Sequence, residues 1–167
     1  MESLINEKKQ LFPSVEITPS WKQFVVNELP LIIPCLVAIT AAGIEGVPYA
    51  KIIFWVGVIL LIVLTYKLFY MLKIKYIITS QQIIYIHGVI GHTADYMELY
   101  RVVDYRQHSS PQQQIMGLKT ITLYTGDRSS PVFNMIGIDR NFHIIEEIRE
   151  RVEYNKQRKG IYEFTNR

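Results

Sequence analysis

The stretch Ile52–Met71, IIFWVGVILLIVLTYKLFYM, constrains this chain more than any other. No charge falls between Lys51 and Lys67, and nearly every side chain is aliphatic or aromatic. At about 1.5 Å of rise per residue, a helix of this length covers roughly 30 Å, the thickness of a bilayer's hydrocarbon core. The run has no polar face at helical spacing, which sets it apart from the helix of a soluble core, the rival reading. A second apolar run, Leu29–Ile44, precedes it. The expectation is therefore a helical hairpin that crosses a membrane twice. Lys67 falls inside the second span, where its long stem can carry the ammonium towards the interface.

The first run carries its own punctuation. Pro30 suits a first helical turn, whereas Pro34 does not, so a kink is expected near it. Ala38, Ala41, Ala42 and Gly43 let a neighbouring helix approach closely, with Gly57 as a small partner on the second run. Cys35 is the single cysteine. It excludes an internal disulfide and reads as a small packing residue. Gly43–Pro48 is a tight external turn. Upstream, residues 1–20 form a polar arm broken by Pro13 and Pro19 and expected to be irregular. Ser20-Trp21-Lys22-Gln23 matches a capping box with Ser20 as N-cap, and Trp21 suits a membrane interface. Asn27 and Glu28 interrupt the apolar pattern. Glu28 reads as part of a solvated turn at headgroup level or as a functional carboxylate within the membrane.

The formal net charge is only +3, and its placement matters more than its size. Lys8, Lys9 and Lys22 precede the first run, and Lys67, Lys73 and Lys75 close the second; the connection carries Glu45 and one lysine. This asymmetry puts both termini on the cytoplasmic side. The first twenty residues lack the apolar core and cleavage pattern of a signal peptide. Lys67, Lys73 and Lys75 serve as an orientation signal and anchor, or as a contact for anionic headgroups.

After Met71 the pattern changes from helical runs to short alternating segments. Lys75–Thr79 and Ile83–Ile86 read as strands, joined by Ser80-Gln81 and closed by His87-Gly88. Tyr96–Gln107 is long enough for a bent strand or two, with a bulge near Arg101 because neither parity is cleanly apolar. Lys119–Thr125 alternates, Ile121 and Leu123 on one face, and Val132–Ile138 follows across the loop Gly126–Pro131. Between them, Ser110-Pro111-Gln112-Gln113 is a second capping-box pattern, with proline at the first helical position. Ile115 and Met116 give this short helix an apolar side, and Gly117 stops it. The last element is a helix capped by Asp139 or Asn141. Its apolar stripe Ile144, Ile145, Ile148 and Val152 is set to close the β structure, with Glu146, Glu147, Arg149, Glu150 and Glu153 on the other side.

Several chemistries find no support in the pattern. His87, His92, His108 and His143 have no metal-ligand spacing and read as surface or loop residues. Ser109 and Ser110 near His108 and Asp104 make no nucleophile elbow, and no phosphate-binding glycine loop is present. Asp104 reads as a partner for Arg101 or for backbone N–H groups. Tyr100, Arg101, Tyr105 and Arg106 interleave charge with aromatics, but 15 acidic residues nearly balance 18 basic ones, so no nucleic-acid surface is expected. No catalytic residues, metal or cofactor are assigned.

A two-helix hairpin leading into Tyr76-Ile77-Ile78-Thr79, then Ile83–Gly88, Arg101-Val102-Val103-Asp104, Gln107, a short helix and Gly117 resembles the bacterial membrane proteins that carry a pleckstrin-homology-like domain. The resemblance covers roughly residues 25–152. It implies a bent, nearly closed antiparallel β-barrel or sandwich plugged by a C-terminal helix, so that the fold class is a membrane helical hairpin plus α+β. Members often carry a basic residue three positions before the glycine, here Gln114, and glycine two positions after it, here Lys119. The resemblance therefore brings no anion site to that turn. The expected organisation is a cytoplasmic arm (1–20), a transmembrane hairpin (21–72), a cytoplasmic PH-like domain (73–155) and a basic tail (156–167), in a multi-pass protein of the inner membrane. The expected role is non-enzymatic: a scaffold for self-assembly or for a membrane-protein partner, with Arg101, Asp104 and Gln107 as its interaction surface. The alternative is a sensor of lipid headgroups or a small ligand.

Overall fold

The computed structural model describes residues 12–128 and 130–161. Two long helices, α1 (Lys22–Ala42) and α2 (Ala50–Leu72), pack as an antiparallel hairpin. Both are long and apolar enough to cross a membrane, and only 6% and 11% of their most apolar windows are buried. That exposure is the opposite of what a soluble core helix shows. The two helices meet closely where small residues face each other. A Cβ placed on Gly57 would lie 2.9 Å from Ile39 Cγ1 and 3.4 Å from Ala38 Cβ. Cys35 is buried in the same seam, its Sγ 3.6 Å from the Gly57 carbonyl oxygen.

The start of α1 differs from its sequence reading. The helix begins at Lys22 and runs unbroken through Asn27 and Glu28. Pro30 is therefore an interior residue, as Pro34 is, and the carbonyls four residues before each lose their helical donor. Ser20 forms no capping box: Trp21 occupies the N-cap without a side-chain bond, and the Ser20 hydroxyl reaches only Lys22 N, at 3.4 Å. Gln23 is drawn elsewhere, as described below. Glu28 is not in a solvated turn: it lies within α1, where its carboxylate pairs with Lys67 of α2 at 2.7 Å.

Two antiparallel sheets follow, in the orders β1-β2-β3-β4 and β5-β6-β7. The first contains β1 (Val15–Ile17), β2 (Lys75–Ile78), β3 (Gln82–His87) and β4 (Thr93–Glu98). Part of the arm expected to be irregular is thus a strand: Val15 lies opposite Ile78 and Ile17 opposite Tyr76. Three residues of alternating exposure were too few to read as a strand without the β2 edge that pairs with them. The arm up to residue 11, and the tail from residue 162, lie outside the described residues.

The long segment expected over Tyr96–Gln107 is divided. A 3₁₀ turn at Leu99–Arg101 carries the chain from the first sheet into the second, which contains β5 (Val102–His108), β6 (Leu118–Thr125) and β7 (Val132–Asp139). The register shift lies between Val102 and Asp104, close to its expected place. Between β5 and β6, α3 (Pro111–Met116) shows the full capping box. The Ser110 hydroxyl accepts from Gln113 N, the Gln113 side chain accepts from Ser110 N, and Gly117 closes the helix at φ 70°. Its expected apolar side packs only in part: Met116 is half-buried, whereas Ile115 is 84% exposed.

The last helix, α4 (Ile144–Arg158), closes the space between the sheets. Ile144, Ile148 and Val152 join Ile78, Ile83, Leu99, Val102, Ile121, Leu123 and Met135 in one buried cluster. Each such aliphatic side chain contributes about 2 kcal/mol when fully buried. Neither expected cap serves α4. His143 precedes it, while Asp139 accepts from Asn141 N at 2.9 Å and shapes the turn before it. The helix continues through Arg158, past the point where a basic tail was expected.

The open end of the hairpin is docked on both sheets. β1 runs into α1, and α2 runs into β2 after Lys73 and Ile74. On the second sheet, Ser20 N donates to the Gly137 carbonyl at 2.9 Å. Gly137 has φ 70°, and a Cβ there would lie 2.8 Å from Gln23 Cβ, so this contact requires glycine.

Candidate interaction site

Several concavities combine shape with polar chemistry, and two of them lie at a strand edge and at the base of the hairpin. The first is a groove of about 640 Å³ between β5 and α4. β5 is the outer strand of its sheet among the described residues, pairing with β6 on one side only. Its other edge borders the groove. Val103, 62% exposed, and the partly buried Ile145 supply apolar floor and wall, while Asp104, Arg149, Glu153 and Lys156 supply charges of both signs. Arg149 and Glu153 pair along the helix at 3.0 Å. An apolar floor beside a strand edge with mixed charges at the rim suits an extended peptide segment better than a small charged ligand.

The second region is the junction of the hairpin with the sheets. The Lys67 ammonium lies 2.7 Å from the Glu28 carboxylate, whose side chain is 14% exposed. This pair borders a cavity of about 240 Å³ lined by Phe24, Asn27, Tyr70, Met71, Ile74 and Ile136 as well. Beside it runs an aromatic ladder. Tyr76 stacks on Tyr85 at 5.3 Å, Tyr85 on His87 at 4.6 Å, and Phe133 meets both tyrosines edge-on. His87 is therefore not a surface or loop histidine. Its Nδ1 lies 3.3 Å from the Tyr70 hydroxyl and its Nε2 3.2 Å from Asp95. Burial pushes the Tyr76 phenol up to about 12, against a weaker lowering from the Ile136 N–H that it accepts. Burial, and then the neighbouring Tyr76, raise Tyr85 beyond the usual tyrosine range.

The three junction lysines separate. Lys67 is engaged by Glu28, and Lys75 by Glu16 at 2.6 Å. Lys73, at the C-cap of α2, makes no ion pair among the described residues. Arg101, Asp104 and Gln107 are all exposed, but they spread along β5 and its preceding turn and do not converge. Arg101 pairs with Asp127 at 2.8 Å and bonds the Tyr100 hydroxyl, which is the main cause of its raised pKa. Asp104 instead accepts from Tyr105 N at 2.7 Å, the second of its two expected roles. Of these three residues only Asp104 lines the groove. Lys119 is buried on β6, and that burial lowers its pKa against the pull of Glu146 and Asp139.

Two buried polar links were missed by sequence reasoning. Gln113 Nε2 donates to Gln23 Oε1 at 2.8 Å and to Thr120 Oγ1 at 2.9 Å, joining α3 and β6 to the start of α1. Its capping role was legible; its second set of partners is not encoded locally. Arg151 is buried on α4 and donates to the Ile78 and Pro13 carbonyls and to Glu147. The signal was present, since Arg151 falls three residues after Ile148 and so lies on the apolar stripe. Among the described residues, no group of three or more His, Cys, Asp or Glu side chains is placed to hold a metal.

The sequence profile described as a bacterial PH domain matches residues 29–152, from within α1 to within α4. No curated protein and no solved structure matches the chain.

Proposed function

Because the chain belongs to the bacterial PH-domain family, we propose that it is a non-enzymatic, membrane-anchored interaction module. In this reading α1 and α2 cross the cytoplasmic membrane as a hairpin, both termini lie in the cytoplasm, and the sheets and α4 form a domain against the cytoplasmic face. Its interaction surface is the β5 edge with the groove beside α4, where a second copy or a membrane-protein partner adds an extended strand. The observation that carries this reading is the exposed Val103 on an outer strand that borders a groove of about 640 Å³. Backbone N–H and C=O groups along such an edge provide affinity, and Val103 with the partly buried Ile145 provides an apolar seat.

A photo-crosslinking residue at position 103 of the full chain, in native membranes, tests it. The expected product is a discrete adduct, at twice the 19.5 kDa monomer for self-assembly or at another mass for a partner. The same residue at Glu150, on the outer side of α4, is expected to give none. Monomer alone from position 103 refutes the reading. The alternative, sensing of anionic headgroups, has one observation in its favour, the exposed Lys73 at the end of α2. Lys67 and Lys75 are each neutralised by a carboxylate, which leaves fewer free charges than the four to eight, roughly, that anionic-lipid recognition uses. Binding of the full chain in neutral nanodiscs to anionic vesicles, lost on Lys73→Glu, would favour the alternative.

A further inference from the structure

We propose that the turn between β3 and β4 inserts into the headgroup layer of the bilayer, with Val89 and Ile90 as the contact. This rests on the reading of α1 and α2 as membrane spans. Ile90 is 95% exposed, the highest value among the exposed large apolar side chains, and it sits in the sequence Gly88-Val89-Ile90-Gly91. Among the described residues, nothing packs on it. The topology fixes which way it faces. The chain enters β2 directly from α2, so Lys75 marks the membrane end of the first sheet. β3 is antiparallel to β2 and returns to that end, placing Ile86 opposite Lys75. His87 then touches α2 itself, through the Tyr70 hydroxyl at 3.3 Å.

Distances along the two elements place the tip in depth. Tyr70 precedes Lys73 by three residues, about 4.5 Å along the helix into the span. Val89 and Ile90 lie in the tight turn beyond the last β3–β4 pair, His87 with Thr93, and so on the membrane side of His87. Each interfacial layer of a bilayer is roughly 5–7 Å thick. The tip thus reaches the level at which amphipathic side chains rest in the headgroup region, beside the apolar flank of α2. It carries no charged residue at Val89 or Ile90 to oppose entry. The aromatic ladder from His87 through Tyr85 to Tyr76 ties this tip to the core, so the tip restrains how the domain sits on the membrane.

An environment-sensitive fluorophore on a single cysteine, in the Cys35→Ser background and in nanodiscs, tests the proposal in the full chain. Three positions are compared: Ile90→Cys at the tip, Ile62→Cys in the middle of α2, and Ser130→Cys in the loop at the far end of β6. Lipids carry a quencher either near the headgroup or deep in the acyl chains. The expected result is a blue-shifted emission at position 90 that the shallow quencher diminishes more than the deep one. The label at position 62 responds most to the deep quencher and the label at position 130 to neither. A label at position 90 as insensitive as that at 130, with 62 still quenched, overturns the proposal and leaves the membrane spans standing. Loss of quenching at position 62 overturns the spans, and the proposal with them.

Discussion

Replacing Arg151 tests whether the buried polar link that locks α4 is stabilising. Arg151 has a side chain only 1% exposed. Its Nη1 donates to the Ile78 carbonyl at 3.2 Å, and its Nη2 to the Pro13 carbonyl at 2.8 Å and to the Glu147 carboxylate. The guanidinium also lies 5.5 Å from the centre of the Phe12 ring. One α4 side chain thus holds the end of β2 and the segment leading into β1. Hydrogen bonds from a charged donor contribute about 1.5–3 kcal/mol each, and truncation leaves a cavity as well. Against this stands the desolvation of the guanidinium, whose Nε has no partner among the described residues. The net expectation for Arg151→Ala is a loss of about 3 kcal/mol, a large part of the stability of a small domain.

Arg151→Met separates packing from bonding, because methionine restores much of the volume without a donor. It is expected to recover about 1 kcal/mol of the loss and no more, since both carbonyls stay without the guanidinium. Hydrogen exchange of the full chain in nanodiscs reads this locally. At about 1.4 kcal/mol per tenfold change, protection in α4 and β2 should fall roughly a hundredfold in Arg151→Ala, with the centre of α2 unchanged. Protection in Arg151→Met equal to that of the native chain would refute the reasoning. It would show that an apolar isostere serves as well and that the bonds only repair the cost of burying the charge.

Further perturbations address the hairpin and the ladder. Gly57→Leu meets Ile39 and Ala38 at once and is expected to separate α1 from α2; a disulfide trap across the seam, formed readily in a chain with native Gly57, should form poorly. Lys67→Met strands the Glu28 carboxylate and should lower thermal stability in nanodiscs by the equivalent of about 1–2 kcal/mol, most of it recovered when Glu28→Gln is added. Tyr76 keeps its proton to about pH 12 in the folded chain but loses it near 10 when unfolded, so the stability it contributes is intact below pH 10 and is lost as pH rises towards 12. The slope is about 1.4 kcal/mol per pH unit, and a urea midpoint measured from pH 9 to 12 should fall less steeply in Tyr76→Phe.

What the sequence disclosed, and what it withheld, divides along a physical line. Elements with their own periodicity or their own local chemistry were legible: the apolar runs of α1 and α2, the alternation of β6, the stripe of α4 and the capping box of α3. Each is set by residues within a few positions of one another. What was not legible depends on a partner distant in the chain. Val15–Ile17 becomes a strand only because β2 offers an edge. Ser20 loses its expected cap because Gln23 is taken by Gln113, ninety positions away. Glu28 lies within a continuous helix, and its partner Lys67 is on the second helix, thirty-nine positions away.

These distant pairs share a location, and that gives them a common consequence. Gln23–Gln113, Glu28–Lys67, Ser20–Gly137 and Tyr70–His87 all lie where the hairpin meets the sheets. Two short connections alone, Ile17 to Lys22 and Leu72 to Lys75, would let the domain swing relative to α1 and α2. Three ties cross the joint, Gln23–Gln113, Ser20–Gly137 and Tyr70–His87, and remove that freedom, while Glu28–Lys67 fixes the two helices to each other beside it. The orientation of the β5–α4 groove is then set by the helices, and a partner meeting that groove meets a surface held at a fixed attitude to the hairpin. Breaking the joint without touching the groove, by Gln113→Leu together with Tyr70→Phe, should leave a folded domain. It should also weaken crosslinking from position 103, because fewer encounters present the strand edge in a productive orientation.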